Sequence, residues 1–108
     1  MARPAVLLLE DNAAEATLAE SALRFAGADV VASPERAVVA VLGRTALREY
    51  QGKLDIPAVA ILHEPTPAER RRALERGLLA VYERPDTWQA YAELVGRVLA
   101  DWLPARKG

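Results

Sequence analysis

Val6–Asn12 reads V-L-L-L-E-D-N: four bulky apolar residues run straight into two carboxylates and an amide. A strand covered on both faces has such an unbroken apolar run in place of alternation. The stretch therefore predicts a buried strand over Val6–Leu9 that delivers Glu10 and Asp11 to a sheet edge. Parallel strands need crossover connections, so a helix is expected next.

Asn12 predicts a helix cap, with Glu15 at capping-box spacing, and the helix runs to about Ala26 before Gly27 stops it. Ala28–Ala32 is short and β-branched, a second strand. Ser33-Pro34 is a start signal for a helix. The segment A-V-V-A-V-L from Ala37 reads either as a buried strand or as a helical stripe with Ala46 and Tyr50. Crossover length decides the expectation: Ser33–Arg36 alone is too short to link parallel strands, so a helix from Pro34 to about Gln51 is expected, broken near Gly43.

Ala58–Leu62 predicts a further buried strand, with His63 and Glu64 at its end. Thr66-Pro67-Ala68-Glu69 is a second capping box, opening a helix to Arg76 that Gly77 ends. Its arginines, interspersed with glutamates, read as a solvated face. Leu78–Tyr82 is the last expected strand, followed by Glu83-Arg84-Pro85. Asp86 then caps a final helix, with Gln89 in third position, running to about Leu103.

A length of 108 residues allows one domain, 1–108, with 104–108 expected as a flexible tail. The net charge of -1 gives no electrostatic case for a nucleic-acid or anionic membrane partner. The absence of cysteine removes a disulfide framework, a thiolate nucleophile and the usual zinc ligands, leaving the cytoplasm as the expected compartment. No signal peptide or membrane span is expected.

Strands alternating with helices predict an α/β doubly wound, flavodoxin-like parallel sheet, here with four strands, (βα)4. Ligands of such sheets sit beyond the strand C-termini. Glu10, Asp11, His63, Glu64, Glu83 and Arg84 map there.

On these residues the chain, over 5–103, resembles the receiver domain of two-component response regulators. V-L-L-L-E-D-N is similar to the family's first strand and acidic pair, and Glu10 and Asp11 match the residues that hold Mg²⁺ there. G-L-L-A-V-Y-E-R-P resembles its last strand, with Arg84-Pro85 at the family's Lys-Pro. The final helix, ending D-W-L, is similar to receivers of the phytochrome-associated type.

The resemblance also implies a third strand ending in a phosphoacceptor aspartate, and a switch Thr or Ser after the penultimate strand. Ser33–Pro57 leaves no room for helix, strand and helix, so the third strand and its aspartate are expected to be missing. Val6–Leu9 would then pair directly with Ala58–Leu62. His63 stands at the switch position and Arg84 at the lysine. Phosphoryl transfer needs an in-line nucleophile, Mg²⁺ and a cation to hold the product. Glu10 and Asp11 alone make a weak, water-filled cation site, a vestige, and no cofactor is expected beyond a possible Mg²⁺.

His63 reads as a titrating group beside Glu64 or as a hydrogen-bonded loop residue. Arg84 reads as an anion ligand or as an ion pair with Glu10 or Asp11. In the last helix Trp88, Tyr91, Val95, Val98 and Trp102 form an apolar arc expected at a partner interface. Receivers commonly pair through this region, so the resemblance implies a homodimer. Expected function is a non-enzymatic pseudo-receiver: a phosphorylation-independent dimerisation or docking module whose partners are itself and a sensor kinase or output protein. The alternative is a Mg²⁺- or phosphate-binding domain with an unorthodox acceptor or hydrolase site.

Overall fold

The computed structural model describes residues 3–52 and 54–102; the expected tail, 104–108, lies outside them. The elements are β1 (Ala5–Leu9), α1 (Ala13–Phe25), β2 (Asp29–Val31), a 3-10 turn (Pro34–Arg36), β3 (Val39–Leu42), α2 (Arg44–Glu49), β4 (Ala58–Leu62), α3 (Pro67–Glu75), β5 (Ala80–Glu83) and α4 (Trp88–Trp102). All strands are parallel, in the order β2-β1-β3-β4-β5. No helix among the described residues is long and apolar enough to cross a membrane.

The sheet has five strands and not the expected four. The segment read as helix contains β3, which takes the central place and separates β1 from β4. Its four residues are all buried, and they alternate between two cores: Val39 and Val41 face one, Ala40 and Leu42 the other. Two apolar faces erase the period-2 signal, so the strand imitated a helical stripe.

The missing element is the helix between β2 and β3, not the strand. Seven residues, Ala32–Val38, make that return with one 3-10 turn. Strands of three and four residues need a return of only about 10–13 Å along the sheet and about 10 Å across it. Seven extended residues reach roughly 25 Å, so no helix is required. The Val38 N–H donates to Ala5 O at 2.9 Å and seats the incoming strand on β1. Ser33 makes no side-chain cap bond.

The other local signals fold as their chemistry dictates. Asn12 Oδ1 accepts from Glu15 N–H at 2.9 Å to cap α1, although Glu15's own carboxylate turns elsewhere. Gly27, at φ 96°, lets the Ala28 N–H reach back to Leu23 O at 3.0 Å. Thr66 and Glu69 form both halves of their capping box. The cap of α4 falls one residue later than expected: Thr87 Oγ1, not Asp86, accepts from Ala90 N–H.

α1 and α4 cover one face of the sheet over Val6, Val39, Val41, Val59 and Ile61. Tyr91, Val95 and Val98 are buried in this core, so the apolar arc of α4 is spent inside the domain. These three residues, expected at a partner interface, are corrected to core. Trp88 remains 43% exposed, edge-on to Phe25, and Trp102 Nε1 donates to Tyr82 Oη at 2.6 Å. The opposite face packs Leu7, Ala40, Leu42, Ala58, Ala60 and Leu62 against Leu47 of α2 and Ala73 of α3.

Candidate functional site

The C-terminal strand edge gathers the residues singled out in the sequence, but in separate groups. Leu9 pairs with Leu42, which places Glu10 beside Gly43. The Glu10 carboxylate occupies the space where a side chain at residue 43 would begin. It also accepts from the Asn12 N–H at 3.1 Å. Asp11 is exposed and lines a groove on the α2 side of the sheet.

Arg84 does not reach Glu10 or Asp11. Its Nη2 lies 3.3 Å from Glu15 Oε1, its guanidinium carbon 6.0 Å from the Tyr91 ring centroid, and its buried Nε has no partner among the described residues. These groups, with Glu10 and Gly43, enclose a cavity of about 20 Å³, room for a single water. Burial pushes the Tyr91 phenol up to about 12, Glu15 adding to the rise and Arg84 opposing it.

His63 Nε2 is 3.3 Å from Asp86 Oδ1, a largely exposed pair, and Glu64 is not its partner. His63 instead borders a polar cleft of about 260 Å³ with Glu10, Glu15, Arg44 and Arg48. No group of three His, Cys, Asp or Glu side chains able to hold a metal occurs among the described residues. Glu10 and Asp11 both line the groove on the α2 side, and two carboxylates with no third ligand converging on them among the described residues fit a hard cation poorly.

The strongest polar contact at this edge was not foreseen. Arg44, just after β3, forks onto Glu69 at 2.6 and 3.2 Å and donates to His63 O at 2.7 Å. Glu69 also accepts from Thr66 N–H. The Arg44 hydrogen bond, and then the one from Thr66, hold the Glu69 carboxyl down at about 2, and the same bond raises Arg44. The loop after β4 is thereby tied to the end of β3. In the sequence Glu69 was legible only as a cap, and Arg44 was hidden inside the misread helix.

Among solved structures, the phosphorylated cyanobacterial phytochrome response regulator RcpA matches at TM-score 0.73 over 96% of this chain and 100% of its own, at 18% identity. The chain has the receiver-domain fold. A response regulator in red light signalling of R. palustris, RPA3017, matches at TM-score 0.71 and 16% identity, covering 95% of this chain and 99% of its own. HP1043, an orphan response regulator of H. pylori, shares 24% identity at TM-score 0.60, covering 90% of this chain and 94% of its own. No family model and no curated protein matches the sequence. Within the receiver fold, the chain differs from the expectation drawn above in keeping its third strand, which ends at Leu42 and is followed by Gly43 and Arg44.

Proposed function

We propose that this domain is a pseudo-receiver: a cytoplasmic protein-interaction module in signal transduction that works without phosphorylation and catalyses no reaction. One observation carries the reading. The third strand is followed directly by Gly43, where the resemblance puts the acceptor aspartate, and the side-chain space there is filled by the Glu10 carboxylate. The residue aligned with an Mg²⁺ ligand thus fills the acceptor's place, and position 43 itself has no side chain to attack a phosphoryl group.

Two further contacts support it. Arg84, at the position of the family's lysine, is engaged by Glu15. The loop that carries the switch residue in the family holds His63 here and is tied down by Arg44. A domain with these features acts by the surface it presents, pairing with itself and with a kinase or output protein.

The test is a titration of the full chain with Mg²⁺ and beryllofluoride, a phosphoryl mimic, followed by calorimetry and amide NMR. No saturable binding in the low millimolar range is expected. Submillimolar binding that disappears in Asp11→Ala overturns the proposal in favour of a working metal and phosphate site.

A further inference from the structure

The two faces of the sheet are covered unequally. One carries the 13-residue α1 and the 15-residue α4; the other carries the six-residue α2, the nine-residue α3 and, in place of a helix between β2 and β3, a single 3-10 turn. On that second face Leu9, Val31, Tyr50, Leu54 and Ile56 stay only half-buried against the core.

All of these but Val31 border two hollows that share Leu54. The larger, about 500 Å³, has Leu9, Ala46, Tyr50 and Leu54 below and Glu10, Asp11 and Glu49 around it. The smaller, about 280 Å³, places Glu35 and Asp55 beside Ala37 and Ile56. Together they form an apolar groove bordered by five carboxylates, with no Lys or Arg among its described lining residues.

The complementary surface is on the same face of the same molecule. Arg71 and Arg72 of α3 are exposed, and neither has a carboxylate partner among the described residues. Leu74 on that helix is 57% exposed and Leu79 just after it 48%. α3 lies over β5, α2 over β4, and the groove over β1, so the strand order sets the cationic surface and the acidic groove on opposite sides of α2. A two-fold axis near α2 superposes each on the other's complement, the requirement for a closed, self-complementary pair.

We infer that two copies of this chain associate through this face, α3 of each lying against the acid-bordered groove of the other. Leu74 and Leu79 cover the apolar floor, and Arg71 and Arg72 meet Glu49 and Asp55. The inference deepens the reading as an interaction module and does not depend on the loss of phosphoryl chemistry.

Sedimentation of the full chain between about 1 μM and about 1 mM tests it, with a reversible monomer–dimer equilibrium that weakens with added salt expected. Arg71→Glu with Arg72→Glu, and separately Glu49→Arg with Asp55→Arg, each raise the dissociation constant at least about tenfold. Mixing the two double variants restores a heterodimer, while circular dichroism and melting curves check that each variant is folded. A chain monomeric throughout, a dimer indifferent to both variants, or variants that fail to rescue each other overturns the inference. Failure here with no beryllofluoride binding leaves the pseudo-receiver reading standing; a rescued dimer alongside tight beryllofluoride binding does the reverse.

Discussion

Arg44 and Glu69, 25 residues apart in the chain, meet fork to fork, Nε to Oε2 at 2.6 Å and Nη2 to Oε1 at 3.2 Å. Because this contact holds the Glu69 carboxyl at about 2, below its ordinary value, its stabilisation is present above the unfolded pKa near 4.5 and is lost as pH falls through about 2. Both side chains are partly exposed, which limits the effect to roughly 1 kcal/mol. Urea unfolding of Glu69→Gln should show a deficit of that size above pH 5 that closes toward pH 2. A deficit constant across this range would place the effect in packing.

Gly43 gives a gain-of-function prediction. In Gly43→Asp the new side chain displaces only the end of the flexible Glu10 side chain, so the cost to stability stays below about 1 kcal/mol. Residues 10, 11 and 43 then bring three carboxylates to one edge, and Mg²⁺ binding appears in the low millimolar range by calorimetry. It is lost again when Asp11→Ala is added. A Gly43→Asp chain as indifferent to Mg²⁺ as its parent would mean that the carboxylates do not converge.

The helix caps can be ranked by the bonds they make. Asn12→Ala removes the acceptor for Glu15 N–H and costs about 1 kcal/mol in chemical denaturation. Ser33→Ala, at a position with no cap bond, stays within about 0.5 kcal/mol. Equal costs at the two sites would contradict the geometry.

For α4, the choice between core and interface is measurable. Val95 and Val98 are each 1% exposed, so Val95→Ala or Val98→Ala lowers the unfolding free energy by about 1–3 kcal/mol. The loss should be independent of protein concentration. If it were confined to conditions where the chain is dimeric, these residues would belong to a subunit contact after all.

Much of this architecture is legible in the sequence because the signals are local. The run before Glu10, the box at Thr66–Glu69, and Gly27 and Gly77 each write one structural event into a few neighbouring residues. β3 was lost because its side chains are apolar on both faces, and because the rule for crossover length assumes strands of ordinary size. The valines of α4 exceeded what one sheet contact needs only until α1 is packed beside them. Arg44–Glu69 and Arg84–Glu15 are distant in sequence, and their pairing is decided by a register that becomes known only once β3 is in place.

The seven-residue return between β2 and β3 also bears on how the chain folds. It joins two strands that are not neighbours, since β1 lies between them, and the pairing of β1 with β3 closes a loop that spans all of α1 and β2. Lower sequence separation between paired strands speeds folding. By that measure the C-terminal half leads: β3 pairs with β4 from Ala40 to Ala58 and β4 with β5 from Val59 to Ala80, both closer in sequence than Ala5 to Asp29 or Val6 to Val39. The β3-β4-β5 unit is thus the part of the sheet best suited to nucleate, with β1 and β2 adding to a β3 edge already formed.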